Sequence, residues 1–443
     1  MMKLHCCWVL IEMASIMIQG TGSGVGKSVI AAALCRIFAN ENYKVAPFKS
    51  QNMALNSYIT EDKGEMGRAQ AVQAFAARKK PRVEMNPVLL KPKEDKNAQV
   101  IVLGKAVGDK SALEYDSYKR SLIRIIRDAF NKLENENDIV VIEGAGSPAE
   151  VNLKARDIVN MKMAEIANCP VILVADIDKG GALAAIVGTL ELLTKKEKER
   201  VKGIIINKFR GDISLLEDGL RYVERKTKKP IIGVIPYFND IKIEEEDSLA
   251  EYQLNNDHDH NNTQEGINIG VIWLPHMSNF TDFDALEKEE DVSVRYVKEE
   301  KGLWGMDAII IPGTKNSVSD LLYLKESGLY DAIKSFKGNI IGICGGFQML
   351  GTRLIDKEGM ESMHGSVEGL GLLNIESSFE REKITRQVKG RIIKSRHVVE
   401  GYEIHMGRTK GIEEKPFIEL EDEGYDGAVS SDERVFGTYL HGI

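Results

Sequence analysis

The side chains best placed to do chemistry sit in two short glycine-rich stretches. One is Gly342-Ile343-Cys344-Gly345-Gly346-Phe347-Gln348-Met349-Leu350-Gly351, which follows the apolar run Asn339-Ile340-Ile341 and leads into a helix-like segment. The pattern predicts a strand, a sharp turn carrying a cysteine, then a helix. A nucleophile elbow has this form, because the tight turn lifts the side chain off the sheet and flanking glycines let backbone approach it. A thiol near a helix N-terminus is favoured as thiolate by the positive end of the peptide dipoles. The chemistry implied is attack of sulfur on a carbonyl, which requires a base and an oxyanion hole. Among the eight histidines, His405 and His441 are the candidate bases, and residue chemistry alone does not choose between them. Backbone N–H groups of Gly313, in Ile311-Pro312-Gly313-Thr314, and of Gly345 are the candidate oxyanion donors. An inert core thiol would not need glycine on its flanks, which disfavours that reading of Cys344.

The other stretch is Gln19-Gly20-Thr21-Gly22-Ser23-Gly24-Val25-Gly26-Lys27-Ser28, between Ile16-Met17-Ile18 and the helical Val29 to Leu34. Strand, glycine-rich loop, Gly-Lys-Ser and helix make a phosphate-loop context. Backbone N–H groups cradle phosphates, Lys27 neutralises the outer ones, and the Ser28 hydroxyl can ligate Mg²⁺. The strict spacing fails at Thr21, and the loop fits a form one residue longer that begins Gly20-Thr21. ATP binding through Gly20, Thr21, Gly26, Lys27 and Ser28 is therefore expected. Glu143, at the end of Ile139-Val140-Val141-Ile142, is the candidate to hold Mg²⁺ with Ser28, directly or through water. Asp176 is a weaker metal candidate. It and Asp178 could equally cap the helix that follows, the commoner task for Asp in such a place.

The elements that must position these groups are legible as apolar, β-branched runs: Ile16 to Ile18, Ile139 to Ile142, Val171 to Val174, Gly203 to Ile206 and Ile231 to Ile235. Such runs alternating with helical segments predict an α/β parallel sheet covered on both faces, with ligands outside the carboxyl ends of its strands. The pattern lapses over 239–265, where Glu244-Glu245-Glu246-Asp247 and Asn255 to Asn262 read as an acidic and polar linker. It restarts with Ile267 to Trp273, Val292 to Val297, Ala308 to Ile311 and the elbow strand, predicting a second α/β domain over 266–443.

The chain has 443 residues, 43% hydrophobic and 28% charged, which suits two or three soluble globular domains. The formal net charge of -8 without a Lys/Arg block argues against nucleic acid as a partner. The five cysteines form no C-x-x-C pair, which fits a reducing, cytoplasmic setting and argues against structural zinc. No apolar run reaches the length of a membrane span. The apolar Cys6 to Ile11 is too short for a signal sequence, and two readings stand equally, a mis-assigned start with Met13 or Met17 as the natural initiator and a short extra strand or tail.

Further segments carry a resemblance that runs from about Ile16 to Ile443: Pro47 to Ser57, Gly67-Arg68-Ala69-Gln70, Met85 to Pro92, Glu143 to Glu150, Asp176 to Gly181, Asn207 to Asp212, Ser278 to Phe283, Gly401 to Gly407 and Gly437 to Gly442. On these the chain resembles the cobyric acid synthase family, glutamine-dependent amidotransferases of corrinoid biosynthesis. The resemblance implies an N-terminal P-loop domain over 16–238, similar to dethiobiotin synthetase, and a C-terminal class I (triad-type) glutamine amidotransferase domain. It implies Cys344 as nucleophile and His441 as its base. It also implies MgATP and glutamine as co-substrates and a small corrinoid as the molecule amidated. Lys49 and Asn52, in the Pro47 to Ser57 segment, become candidates to contact phosphate or substrate. The usual triad places an acid two residues past the histidine. Here that position is Ile443, so no carboxylate orients His441 from there, a departure shared by this branch. Relatives continue past the Leu-His-Gly motif, so a truncated C-terminal domain is expected. The rival readings are cobyrinic acid a,c-diamide synthase, from which Gln51-Asn52-Met53 and Ser278 to Phe283 point away, and two non-synthase proteins. A partitioning ATPase would carry a second lysine where Gly22 stands. A binding protein with a degenerate amidotransferase half would lack glutaminase activity.

Overall fold

The structure is a computed structural model that describes residues 15–94, 97–238, 266–362, 364–422 and 424–443. The expected linker and the apolar start lie outside the described residues. The chain forms two compact units. One comprises Met1–Ala54, Met66–Leu90 and Asn97–Asp247, and the other Leu55–Glu65, Lys91–Lys96 and Ser248–Ile443.

The first unit is built on a six-stranded sheet in the order Ile231–Pro236, Val201–Phe209, Val171–Asp176, Ser15–Gly20, Ile139–Glu143, Val45–Phe48. Every neighbouring pair is parallel. The central strands are apolar along their whole length because both faces are covered, and Val171–Asp176 is buried at every position. The outer strand Val45–Phe48 is not marked by the sequence pattern. It is four residues long and contains Pro47, which is tolerated because the strand lies at the sheet edge. Helix Lys27–Asn40 follows the central strand, and its side chains Ile30, Ala31 and Cys35 are buried. Helix Ala112–Glu136 begins with a capping box, Ser111 with Glu114, and buries Tyr115, Leu122, Ile126, Ala129, Phe130 and Leu133 along one stripe.

The second unit has a parallel core ordered Val292–Val297, Ile267–Ile272, Ala308–Ile311, Asn339–Ile343, Val435–Thr438. Its last strand also pairs antiparallel with Tyr425–Val429, and the sheet runs on through Pro416–Leu420 and the long strand Glu376–Ile392, which pairs with Val398–Lys410. This antiparallel extension is not evident in the sequence, because Glu376–Ile392 is rich in charge and has one solvated face. Val435–Thr438 joins the two halves and ends three residues before His441.

Cys344 sits between strand Asn339–Ile343 and helix Gly345–Leu350 with φ 50° and ψ -106°, in a left-handed region that strains a non-glycine residue. The glycines around it are required by close approach. A β-carbon at Gly346 would lie 2.0 Å from the Ile311 carbonyl oxygen, and one at Gly342 would lie 2.8 Å from the Phe347 backbone. Gly346→Ala should therefore destabilise this unit by about 1–3 kcal/mol for overpacking, read as a lower midpoint in a denaturant melt followed together with glutaminase activity. A variant that melts with the parent would show that the turn can open around a side chain.

Candidate functional site

In the second unit a cavity is lined by Cys344, Gly345, Gln348, His405 and His441 together with Ser278, Asn279 and Thr314. The elbow delivers Cys344 from one strand end, and the Cys344 amide donates to the Thr438 carbonyl at 2.8 Å, tying it to the strand that leads to His441. The His441 backbone is held by two bonds with Tyr402, at 2.9 and 3.1 Å, and its ring stacks on the Tyr402 ring with centroids 5.4 Å apart. Imidazole Nδ1 lies 2.7 Å from Asp282 Oδ2, and the second Asp282 oxygen accepts the Gly442 amide at 3.0 Å. The other ring nitrogen, Nε2, lies 3.3 Å from Asn279 Nδ2, and the Cys344 sulfur acts on the ring through its charge. The position past the histidine carries no acid, as read from the sequence, but a carboxylate still orients the ring, from a segment 159 residues away. Asp282 belongs to Ser278 to Phe283, whose distinctiveness is visible in sequence while its partner is not.

Burial disfavours charge on His441, yet the carboxylate of Asp282 and the Cys344 sulfur outweigh it and raise its pKa to about 10. Asp282 thus holds Nδ1 protonated, while Nε2 is on the side of Asn279 in the cavity that Cys344 also lines. His405 is differently engaged. Its Nδ1 faces the Gly407 carbonyl at 2.8 Å, its ring stacks on Tyr439 with centroids 3.7 Å apart, and burial lowers its pKa. Of the two oxyanion candidates, Gly345 lines the cavity. Gly313 lies under the imidazole edge, where a β-carbon would come within 2.8 Å of His441 Cε1.

In the first unit the loop after Ser15–Gly20 carries Gly24 and Gly26 at φ 67° and 92°. Thr21 donates its amide to Val174, and Lys27 Nζ lies 2.9 Å from the Gly22 carbonyl and 3.4 Å from that of Gly146. Two residues from strand Val201–Phe209 clamp the loop: Asn207 Nδ2 donates to the Val25 carbonyl at 2.9 Å and Lys208 Nζ to that of Gly24 at 2.7 Å. Both lie in a segment notable in sequence, but nothing local announces the clamp. Gly26 is needed here because a β-carbon would sit 2.2 Å from Asn207 Nδ2.

Glu143 is wholly buried and accepts from Ser28 Oγ at 2.8 Å, from Lys49 Nζ at 2.9 Å and from Gln73 Nε2 at 2.5 Å. Burial pushes its pKa up, but the Lys49 charge and these hydrogen bonds prevail and leave it below the ordinary value. Lys49 thus contacts a carboxylate, that of Glu143. Asn52 is buried and donates to Gln70 at 2.8 Å. Asp176 Oδ1 accepts the Asp178 amide, and Oδ2 makes no hydrogen bond and lies 3.4 Å from Lys208 Nζ. Neither Asp176 nor Asp178 caps the next helix, since Gly181, at φ 68°, occupies its N-cap. Among the described residues no group of three His, Cys, Asp or Glu side chains could hold a metal by itself. A hydroxyl and an ionised carboxylate in contact, with an unbonded carboxylate oxygen at Asp176, fit Mg²⁺. That ion takes one or two protein oxygens and completes its shell with phosphates and water.

Residues 268–443 match the CobB/CobQ-like glutamine amidotransferase domain, and residues 16–250 the CobQ/CobB/MinD/ParA nucleotide binding domain. The cobyric acid synthase of Alkaliphilus metalliredigens (strain QYMF) is 52% identical over 446 residues, covering 96% of this chain and 88% of that protein. Those of Clostridium botulinum (strain 657 / Type Ba4) and Clostridium kluyveri (strain ATCC 8527) are 50% and 51% identical, each over 97% of this chain and over 88% and 87% of their own lengths. The chain belongs to the cobyric acid synthase family. A solved glutamine amidotransferase overlaps 39% of the chain and 89% of its own at 17% identity and a TM-score of 0.31, too slight a likeness to argue from. The expected fold class, a P-loop α/β unit followed by an amidotransferase α/β unit, holds. No helix among the described residues is long and apolar enough to cross a membrane.

Because the folded pKa of His441 lies above the ordinary 6.5, its charge stabilises the fold fully below that pH, and the contribution is lost as pH rises through about 10. Asp282→Asn removes the counter-charge, so the imidazole pKa falls and the basic limb of the kcat/KM profile for glutamine hydrolysis moves to lower pH. The rate should fall by roughly two orders of magnitude, with partial recovery in Asp282→Glu. An unmoved limb would mean that Asp282 does not set the charge of His441.

Proposed function

We propose that the chain amidates the b, d, e and g side-chain carboxylates of adenosylcobyrinic acid a,c-diamide to give cobyric acid in cobalamin biosynthesis. ATP and glutamine are consumed, in the cytoplasm. The observation that carries this reading is the buried Cys344–His441–Asp282 alignment, in a chain whose other unit holds a phosphate loop and which is about half identical to cobyric acid synthases along nearly its whole length.

Cys344 sulfur attacks the side-chain amide carbon of glutamine, and the amide oxygen becomes an oxyanion facing the Gly345 N–H, with Gly313 as the other candidate donor. His441 gives its Nε2 proton to the departing nitrogen, which leaves as ammonia. A thioester remains. Neutral His441 then takes a proton from water, hydroxide adds to the thioester, and glutamate and the Cys344 thiolate are released with the imidazolium restored. Asp282 keeps the ring in one tautomer throughout.

At the phosphate loop, Lys27 and the loop amides hold the ATP phosphates while a corrinoid carboxylate attacks the γ-phosphorus and ADP leaves. Ser28 and Glu143 are the residues to hold Mg²⁺, which would neutralise charge developing on the phosphates. The acyl phosphate is then attacked by ammonia, forming the amide and releasing phosphate. The sequence is needed because a carboxylate is a poor acyl donor and its acyl phosphate, a mixed anhydride, a good one. Lys49 keeps Glu143 ionised without net buried charge, which preserves the oxygen donors beside Ser28.

Mass spectrometry of the product from the a,c-diamide, MgATP and glutamine tests the whole reading, with four amidations expected. Cys344→Ala should abolish glutamine-dependent amidation and retain amidation from ammonium salts, whereas Lys27→Ala should lose both. Equal loss of both activities in Cys344→Ala would remove the thiol from its role.

A further inference from the structure

The backbone at Asn279 does not account for its side chain. Asn279 precedes the turn Phe280–Phe283 with φ 54° and ψ 41°, a left-handed conformation that asparagine tolerates. Glycine would serve that backbone equally well. The amide is nevertheless buried between two groups from distant parts of the chain, Ser57 and His441.

An amide side chain presents an acceptor at one end and only donors at the other. Ser57 fixes which end faces where. Its backbone N–H donates to Asn279 Oδ1 at 3.1 Å, so Nδ2 is the end that lies 3.3 Å from His441 Nε2. Reversing the amide would set N–H against N–H at Ser57. Ser57 is itself held in place. Its hydroxyl donates to Glu65 Oε1 at 2.7 Å and accepts from Lys91 Nζ at 2.9 Å, and Glu65 pairs with Lys91 and Lys383, all within the second unit. Two stretches distinctive in the sequence thus meet at the imidazole, Pro47 to Ser57 and Ser278 to Phe283.

A ring nitrogen accepts from Nδ2 only when it carries no proton. With Nδ1 protonated against Asp282, the neutral ring completes an unbroken run of hydrogen bonds from Ser57 through Asn279 and His441 to Asp282. The imidazolium instead turns an Nε2–H toward the Asn279 N–H. Asn279 therefore opposes the charge that Asp282 and the Cys344 sulfur favour. While the sulfur is charged, the imidazolium is the favoured form. Once the sulfur has bonded to carbon that charge is gone, and the Asn279 N–H remains. The other ionisable groups lining the cavity among the described residues are Lys91, Lys315, Lys383, Glu361 and His405, and the phenol of Tyr402 belongs to the ring stacked on His441. None of them exchanges a bond in the thiol step proposed above.

We propose that Asn279 is a positioning residue for the thiol reaction: as His441 Nε2 gives its proton to the departing nitrogen of glutamine, the Asn279 N–H takes up the lone pair left behind. The assignment rests on the Cys344–His441 reading given above. The proton passes from Nε2 to the nitrogen, the C–N bond breaks and ammonia leaves, while Asn279 keeps both of its own protons. An interaction that forms only as the proton leaves acts on kcat and not on KM.

The test uses the full chain with two substitutions. Asn279→Gly keeps the left-handed backbone without the amide, and Asn279→Asp keeps an oxygen for Ser57 while setting a carboxylate against Nε2. Glutamine hydrolysis is measured against pH, beside a thermal melt of each variant. In Asn279→Gly the kcat should fall roughly tenfold for one lost hydrogen bond, with the KM for glutamine unchanged. In both variants the basic limb of the kcat/KM profile should move to higher pH, further in Asn279→Asp, because an N–H opposing the imidazolium is lost from each. Should Asn279→Asp not fold, Asn279→Gly decides alone. A kcat in Asn279→Gly equal to that of the parent, or a lower kcat with the limb unmoved, would show that residue 279 serves the backbone only. If Cys344→Ala hydrolyses glutamine as the parent does, the thiol reading falls and the role of Asn279 with it.

Discussion

A buried imidazole that carries a positive charge must be given its counter-charge by the fold, and much of the second unit is arranged to do so. Removing an ion from water costs several kcal/mol even after relaxation. At His441 that cost is offset by the Asp282 carboxylate at 2.7 Å and by the Cys344 sulfur. Three unrelated pieces of chain must meet for this to hold: the turn after Asn339–Ile343, the end of Val435–Thr438 and the short helical turn at Phe280–Phe283. The glycines of the elbow, the stacking of Tyr402 and the paired backbone bonds at residues 402 and 441 all serve that meeting.

The first unit solves the converse problem. Glu143 is a buried negative charge, and Lys49 offsets it from the neighbouring edge strand while Ser28 and Gln73 satisfy its remaining lone pairs. Glu143 therefore stays ionised, and Ser28, the first-turn residue of the helix after the loop, is fixed against it. In both units a side chain proposed to meet a reacting group is held by a partner remote in sequence. A pair buried in this way is rigid, which suits groups whose geometry must be set before substrate arrives.

Remoteness also explains what the sequence discloses and what it hides. Both parallel sheets are legible because strands buried on both faces are written as continuous apolar runs, as in Val171–Asp176. The thiol turn and the phosphate loop are legible because their backbone paths demand glycine at fixed offsets. Val45–Phe48 is hidden by Pro47, which only the sheet edge excuses, and the antiparallel strands from Glu376 onward are hidden by their charged outer face. Asp282, Asn207 and Lys208 are hidden for another reason. Each acts through one side-chain contact across a long stretch of chain, and such a contact leaves no periodicity.

The two charged centres divide the labour in a way that follows from the pKa of ammonia. In bulk water near neutral pH it is mostly ammonium, which is not a nucleophile. An enzyme that must make several amides on one substrate gains little from free ammonium and much from nitrogen released as NH₃. In the proposed cycle the His441 proton is given up as the Cys344 sulfur bonds to carbon, because the charge on that sulfur is one of the causes that hold the imidazole protonated. The neutral imidazole is then the proposed base for the water that clears the thioester, with the Asp282 carboxylate left to favour its charge. In that proposal Asp282, whose charge persists after that of the sulfur is spent, bears on the supply of nitrogen to every amide formed.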